Sequence, residues 1–273
     1  AMKTGNMTLR PFSVVHSIIY DDKIGKATGV PVVDTNTKEM TEYFARVIFV
    51  NAACLNSNLI LLNSTSNRFP NGLGNGSDQV GRNLMDHHKG LSIVASVDGF
   101  EDSYYSGRRP TSIYIPRFAN ATERSEGFLR GYHFGGGAYR TRPANDGIGV
   151  ELKERLSVPG PWQMSLYAFG ECLPYTDNRI TLNHTKKDPF GRPMIAVDCH
   201  FRENEQAMHE DIKRTGKEML ESAGFKNVRV NGKISFPGNA NHEMGTARMG
   251  KDPKTSVLNA FNQMHEVPNV FIT

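Results

Sequence analysis

Long apolar segments are missing from this sequence of 273 residues. No run is apolar for the roughly 18 residues that a membrane-spanning helix needs, which excludes such a helix from this segment. Hydrophobic residues make up 38% and charged residues 22% of the chain, a balance typical of a globular protein. The formal net charge is only +4 and basic residues are interspersed with acidic ones, so we expect no nucleic-acid-binding face.

Cysteine is also scarce. Cys54, Cys172 and Cys199 lie far apart and form no Cys-x-x-Cys pair, which argues against a thiolate metal site. The adjacent histidines His87 and His88 would point in different directions from one strand or turn, and no His-x-x-x-His pair supports them as ligands. We therefore expect no bound metal.

A strict Gly-x-Gly-x-x-Gly motif, the mark of a dinucleotide-binding turn, occurs nowhere in the chain. Residues 1–6 resemble neither a signal peptide nor the start of a helix, and residues 270–273 end inside a predicted strand. We therefore expect an internal piece of a longer protein that is inactive by itself. Its composition assigns it to neither the periplasm nor the cytoplasm.

Short β-rich runs separated by turn residues dominate the chain. Such runs predict strands over residues 8–20, 28–34, 43–50, 91–97, 111–115, 162–168, 179–182 and 194–197, with a hairpin turn at 188–191. Residues 71–76 predict a flexible connector, and residues 131–140 predict a glycine-rich loop.

Two helices are predicted, a short one over residues 56–62 and a long one over 205–223. In the long one, apolar residues recur at helical spacing and Gly224 follows as a suitable terminating residue. Mostly antiparallel strands with one long helix predict an α+β fold.

Two stretches contain most of the residues that could take part in catalysis or binding. Residues 79–88 read Q-V-G-R-N-L-M-D-H-H, and residues 241–250 read N-H-E-M-G-T-A-R-M-G. In the second stretch, His242 precedes a short Gly-Thr turn. A single histidine in such a place is by itself more typical of a structural residue, and only the surrounding motifs favour a catalytic one.

These stretches resemble the signatures of the glucose–methanol–choline (GMC) oxidoreductase family. Residues 80–87 match the family's Val-Gly-Arg-Asn-Leu-x-Asp-His pattern in full, and His242 with the following Gly-Thr and Met-Gly pairs matches its C-terminal signature. Segments between them, at 170–174, 177–182 and 188–193, are similar to the family's substrate-domain strands. The resemblance covers nearly the whole chain in order.

The family resemblance implies three regions. Residues 1–90 would form part of an FAD-binding domain, residues 91–235 an antiparallel-sheet substrate-binding domain, and residues 236–273 a return to the FAD-binding and catalytic region. The family's pyrophosphate-binding N-terminal motif is not in this chain. A second catalytic residue, His or Asn in the family, would follow residue 273.

The resemblance also implies an enzyme that oxidises a CH–OH group, with FAD as cofactor and His242 as the group that takes the hydroxyl proton. It implies cofactor contacts at five residues: Val15 (through its backbone), Ala52, Ala53, Asn83 and His87. Ala53 departs from the family, which usually has glycine there. The methyl group adds bulk where the backbone would pass close to the flavin.

The expected substrate is a sugar, a glycoside or a sugar acid, because residues 131–138 and 170–174 resemble bacterial sugar dehydrogenases of the family. An electron acceptor other than oxygen is favoured, and a partner subunit is compatible with it. Tyr132 and His133 are the candidate substrate contacts, with Trp162 and Tyr167 as further aromatic candidates. Two alternatives stay open: a flavin-containing lyase of the same family, and a non-catalytic carbohydrate-binding or interaction module.

Overall fold

The structure, a computed structural model, describes residues 1–103, 112–122, 127–142 and 146–273. The strands are β1 (Ser13–Val15), β2 (Ile19–Asp21), β3 (Lys26–Asp34), β4 (Met40–Phe44), β5 (Ile48–Val50), β6 (Arg82–Met85), β7 (Leu91–Val97), β8 (Ser112–Ile115), β9 (Tyr132–Arg140), β10 (Trp162–Gly170), β11 (Arg179–Lys187), β12 (Pro193–Asp198), β13 (Lys226–Gly232), β14 (Met244–Thr246) and β15 (Val270–Ile272). The helices are α1 (Ala53–Leu62), α2 (Val150–Ser157) and α3 (Glu203–Ser222), with a 3₁₀ turn at Met2–Thr4. The predicted α+β class is confirmed. Residue 111, predicted as the first residue of a strand, lies outside the described ranges.

The chain divides into two compact units. The first contains Ala1–Met85, Pro174–Cys199 and Glu243–Thr273, and the second contains Asp86–Leu173 and His200–His242. This division differs from the predicted regions 1–90, 91–235 and 236–273. The largest difference is at Pro174–Cys199, where β11 pairs with β6 and joins the β11–β12 hairpin to the first unit. Residues 86–90 and 236–242 belong instead to the second unit.

The first unit contains three sheets. One has the order β1-β3-β2 with β4 on β3, a second has the order β12-β11-β6-β14, and β15 pairs with β5 in parallel. Its core gathers buried aliphatic residues around α1, whose Leu61 is fully buried. The predicted flexible connector at residues 71–76 is wrong. Leu73 is also fully buried there, and its N–H donates to the carbonyl oxygen of Leu61 at 2.9 Å.

The second unit is a five-stranded antiparallel sheet of order β13-β7-β10-β9-β8, with α3 packed on one face. The predicted long helix is confirmed, since the apolar stripe of α3 buries Met208, Ile212 and Leu220 against the sheet. At the start of that helix the backbone N–H of Arg202 donates to Oε2 of Glu205 at 2.9 Å.

Residues 131–140 were predicted as a glycine-rich loop, and this prediction is wrong because residues 132–140 form the strand β9. Glycine is needed there for close packing rather than for turning. A Cβ added at Gly135 would lie 2.5 Å from the ring of Tyr167 on β10. Helix α2 was not predicted. Only Leu152 and Leu156 mark an apolar side at helical spacing, and none of its residues is buried. None of the helices in the described ranges is long and apolar enough to cross a membrane.

Candidate active site

His87 and His242 lie side by side in the second unit. Their ring centroids are 5.2 Å apart and the ring planes meet at 88°. Phe169 on β10 completes a group of three rings, because its centroid lies 5.9 Å from each imidazole. His242 is exposed, and its ring nitrogens make no hydrogen bond within the described part of the chain. One ring nitrogen of His242 is therefore available to accept a proton from a bound molecule.

A hydrogen bond orients the ring of His87. Its Nδ1 lies 3.3 Å from the backbone carbonyl oxygen of Gly170. A carbonyl oxygen can only accept, so Nδ1 carries the proton in this contact and Nε2 keeps a lone pair in the neutral ring. The ring of His87 is thereby tied to the end of β10.

The backbones of the two histidines meet at one carboxylate. Oδ1 of Asp86 accepts the N–H of His87 at 2.8 Å and the N–H of His242 at 3.1 Å. Asp86 is only 3% exposed. The motif at residues 79–88 thus supplies the fixed point to which the loop bearing His242 is attached.

An aromatic surface extends from the histidine pair across the sheet. His133 on β9 stacks on Phe169 with centroids 5.5 Å apart, and Tyr167 meets Phe169 edge to face. Successive side chains of a strand point to opposite faces, so these residues lie on the face of the sheet opposite to α3. Burial lowers the pKa of His133, and the nearby His87 lowers it further, so the ring of His133 is neutral at neutral pH.

Tyr114 and Lys89 border this aromatic surface. The ring of Tyr114 on β8 lies 5.1 Å from that of His133, and Nζ of Lys89 lies 5.8 Å from the centroid of Phe169. Four features of this region were not predicted from the sequence: Asp86 as an anchor, Phe169, Tyr114 and Lys89. For Phe169 a signal exists, because the period-two alternation of residues 162–168 continues one step further and places Phe169 beside Tyr167.

Tyr132 was predicted to contact substrate, and the structure contradicts this. It is 1% exposed and points into the core between sheet and α3, where its hydroxyl donates to Asp211 Oδ2 at 2.6 Å. Burial, assisted by Asp211, raises the pKa of Tyr132. Successive side chains of β9 point to opposite faces of the sheet, so Tyr132 faces the core while His133 faces the other side.

Trp162 lies apart from the histidine pair. It is seven residues, or about 23 Å of extended strand, from Phe169 along β10. Its indole N–H donates to the carbonyl oxygen of Phe100 at 2.7 Å, and Arg140 lies over its ring. These contacts give it a structural role at the far end of the strand.

The predicted cofactor contacts Ala52 and Ala53 lie in the first unit, at the start of α1. Ala53 has φ +58°, in the left-handed region where a Cβ is unfavourable. The glycine that the family usually has here would adopt this conformation without strain. The N–H of Ala52 is held by the hydroxyl of Ser57 at 3.2 Å, so the backbone of this turn is well fixed.

Asn83 lies on β6, which pairs with β14 in the same unit. It has φ +60° and is 2% exposed, and its side-chain Nδ2 has no hydrogen-bond acceptor among the described residues. Gly245 on β14 has φ +90°, and a Cβ there would collide with the carbonyl oxygen of Asn83. The two strands therefore meet more closely than side chains would allow.

Thr246 connects this strand pair to the start of α1. It is 1% exposed with φ +57°, and its Oγ1 lies 2.5 Å from Nδ2 of Asn58 and 3.1 Å from Sγ of Cys54. Burial raises the pKa of Cys54, which keeps the thiol neutral. Strained backbone at Ala53, Asn83 and Thr246 is thus concentrated in one region, a pattern typical of functional sites.

Val15 occupies the end strand β1 of its sheet. Phe12 and His16 bond to β3, so the polar backbone groups of Val15 point to the other edge. Its carbonyl oxygen accepts from Nη1 of Arg192 at 3.0 Å. The N–H of Val15 thus points away from β3, whereas its carbonyl oxygen already has a partner.

No group of three His, Cys, Asp or Glu residues in the described ranges is placed to hold a metal ion. His88, next to His87, is fully buried with its Nε2 3.2 Å from the sulfur of Met208. Burial, together with the neighbouring rings of His209 and His87, lowers the pKa of His88 to about 3.

Comparison with known proteins places these segments in a family. Models of the GMC oxidoreductase family match residues 1–89 and residues 174–273. The 2-methyl-1,2-propanediol dehydrogenase of Mycolicibacterium austroafricanum is 31% identical over 261 residues, which cover 92% of this chain and 46% of that protein. The fructose dehydrogenase large subunit of Gluconobacter japonicus is 26% identical, with 96% and 48% covered. The chain therefore spans about half the length of these relatives.

Solved structures show the same fold. A variant of the formate oxidase of Aspergillus oryzae superposes with a TM-score of 0.63 at 17% identity, over 98% of this chain and 56% of that one.

Proposed function

The chain belongs to the GMC oxidoreductase family, and we propose that the whole protein oxidises a CH–OH group of a sugar, a glycoside or a sugar acid with FAD as its cofactor. One observation carries the proposal. The exposed imidazole of His242, with its ring nitrogens unbonded in the described chain, stands beside an aromatic surface and on a loop fixed to a buried carboxylate.

Oxidation of an alcohol removes a hydroxyl proton and a hydride from the same H–C–O–H unit, and a carbonyl results. FAD, when bound, supplies the acceptor for the hydride. His242 accepts the hydroxyl proton at a free ring nitrogen and returns it in the reverse reaction. Histidine suits this task because an ordinary imidazole is largely neutral near pH 7 and can still take up a proton.

Residues of the first unit fit the cofactor that the family requires. Asn83 carries a buried amide donor without an acceptor, a condition that costs about 1–3 kcal/mol until an acceptor is supplied. We assign cofactor contacts to Ala52, Ala53 and Asn83 at this strained region and to the backbone of Val15. His87 stays a predicted cofactor contact, and its ring also lies edge to face against the ring of His242.

The aromatic surface supports a polyhydroxylated substrate. His133, Tyr167 and Tyr114 offer flat apolar faces with polar edges, a combination that matches a sugar ring with its apolar C–H face and polar rim. His133 therefore stays a proposed substrate contact, whereas Tyr132 does not. Lys89 adds a positive charge at the border, which favours a sugar acid within the proposed class.

We further propose an electron acceptor other than oxygen. Both relatives described above are named as dehydrogenases, and one of them is named as a large subunit. These names support a partner that receives electrons. Reoxidation of the reduced full-length protein by a quinone or dye much faster than by dissolved oxygen is the expected result.

An anaerobic titration of the full-length protein tests the activity. Sugars, glycosides, aldonic acids and simple diols are added separately, and the visible absorbance of oxidised flavin is followed while the products are analysed. Bleaching with one equivalent of carbonyl product per flavin is expected. Product without bleaching indicates a lyase, and ligand binding with neither product nor flavin indicates a carbohydrate-binding module.

A further inference from the structure

We propose that Asp86 is a positioning residue for the proton acceptor His242, a role that rests on the proposed function. Asp86 does not face substrate, since only 3% of its surface is exposed. It acts by fixing the backbone of the loop that carries His242 and, through the same oxygen, the backbone of His87.

The carboxylate of Asp86 gathers four backbone donors. Oδ1 accepts the N–H of His87 and of His242, and Oδ2 accepts the N–H of Gly238 at 2.9 Å and of Ala240 at 3.0 Å. Three of the four donors belong to a single short loop. The carboxylate therefore organises residues 238–242 into one shape and fastens that shape beside β10.

The charge of Asp86 matters to this arrangement. An ionised carboxylate has only acceptor sites, about four lone pairs, and here each is used by an N–H group. Bonds to an ionised acceptor are about twice as strong as neutral ones. An asparagine in the same place would replace one carboxylate oxygen with an NH₂ group, which cannot accept. Two of the four backbone N–H groups would then lose their hydrogen bonds.

The bond from Asp86 determines where the ring of His242 lies, although the two residues are far apart in the sequence. Asp86 and His242 are 156 positions apart, and no side-chain hydrogen bond of His242 within the described residues holds its ring. Its position relative to His87 and Phe169 is therefore set through the backbone. A displacement of about 1 Å in a catalytic group can lower a rate by about 100-fold.

The test uses the full-length holoenzyme with the substrate found in the titration above. Asp86→Asn is expected to lower the limiting rate of flavin reduction about 10- to 100-fold, while the dissociation constant of substrate changes less than about threefold. Asp34→Asn is the matched control, because Asp34 also accepts two backbone N–H groups, from Asn36 and Thr37, in the β3–β4 turn, which carries none of the proposed substrate, cofactor or proton-transfer residues. It is expected to leave the rate within twofold.

A double-mutant cycle separates positioning from general stability. If Asp86 acts through His242, adding Asp86→Asn to the His242→Ala variant changes the remaining rate less than about twofold. An equal 10- to 100-fold loss in both backgrounds would overturn the proposal, as would a wild-type rate in Asp86→Asn alone.

A milder substitution covers the case in which Asp86→Asn does not fold. Gly238 has φ +89° and open space where a Cβ would stand, so Gly238→Ala strains the anchored loop without a collision. Gly224→Ala is its control, with φ +84° and equally open space. A three- to tenfold loss of the reduction rate is expected for Gly238→Ala, absent in the His242→Ala background, and little change for Gly224→Ala. Equal effects of the two glycine substitutions would contradict the positioning role.

Failure of the proposed function gives a different result. In that case no CH–OH compound reduces the flavin of the wild-type protein, or His242→Ala reduces it at the normal rate. If the wild type reacts and depends on His242 but not on Asp86, only the positioning role is wrong.

Discussion

The imidazole of His242 meets that of His87 at 88°, with the two centroids 5.2 Å apart. In such an edge-to-face contact one ring abuts the face of the other, so each restricts the rotation of its neighbour. Since the ring of His87 is itself tied to Gly170, the contact limits the directions in which His242 can present its free nitrogen. The contact with His87 therefore orients the ring of His242, which no side-chain hydrogen bond in the described residues holds.

Ala53→Gly should stabilise the protein. Ala53 has φ +58°, which costs about 1–2 kcal/mol for a residue with a Cβ, and glycine removes that cost while losing about 0.4–1 kcal/mol through its freer unfolded chain. A net gain of up to about 1.5 kcal/mol is expected, seen as a higher thermal midpoint with and without FAD.

Ala223→Gly is the matched control for this prediction. Ala223 is also an exposed alanine, but its φ is −78°. The same substitution there should lower the thermal midpoint. If Ala53→Gly lowers it as well, the left-handed conformation of Ala53 is incorrect.

Tyr167→Ala should raise the KM for a sugar substrate about three- to tenfold with little change in kcat. The reason is that the apolar face of a sugar ring would lose about 1 kcal/mol of contact with the phenol ring. Tyr139→Ala is the control, since Tyr139 lies six residues, or about 20 Å, from His133 along β9 and its hydroxyl bonds to Gln163. The test is steady-state kinetics of both variants. Equal KM values for Tyr167→Ala and Tyr139→Ala would show that the aromatic surface does not bind the substrate.

Acid should destabilise the protein partly through His88. Its pKa is lowered to about 3 in the folded state, against about 6.5 when unfolded, so the unfolded chain binds a proton that the folded one excludes. Stability contributed by the neutral ring is complete above pH 6.5 and falls as the pH drops towards 3. Between pH 7 and pH 5 the loss from this group is about 2 kcal/mol.

His88→Gln removes the titrating group from that site. Its thermal midpoint, compared with that of the wild type at several pH values, should therefore depend less on pH between 7 and 5. A variant that loses stability with acid as steeply as the wild type would show that His88 is not the group responsible.

The sequence predicted the fold class and the long helix because their signals are local. The stripe of α3 and the alternation of β10 can be seen without tertiary contacts. The strand β9 was missed because its glycines reflect the ring of Tyr167 on the neighbouring strand, which no local pattern contains.

For the site, too, only the features with a local sequence signal could be predicted. His242 and Asn83 stand within recognisable motifs, but the burial of Tyr132 and the exposure of His133 depend on which face of β9 meets α3. The anchoring role of Asp86 depends on a loop more than 150 positions away. Long-range contacts of this kind cannot be deduced from spacing alone.

The most direct test of the account is the rate at which substrate reduces the flavin in the full-length His242→Ala variant. It is measured anaerobically by stopped flow beside the wild type and His184→Ala, an exposed histidine in the first unit that serves as control. We predict that His242→Ala retains FAD and is reduced about 10²–10⁴-fold more slowly, while His184→Ala reacts like the wild type. Flavin reduction at a near wild-type rate in His242→Ala would contradict the assignment of His242 as the proton acceptor.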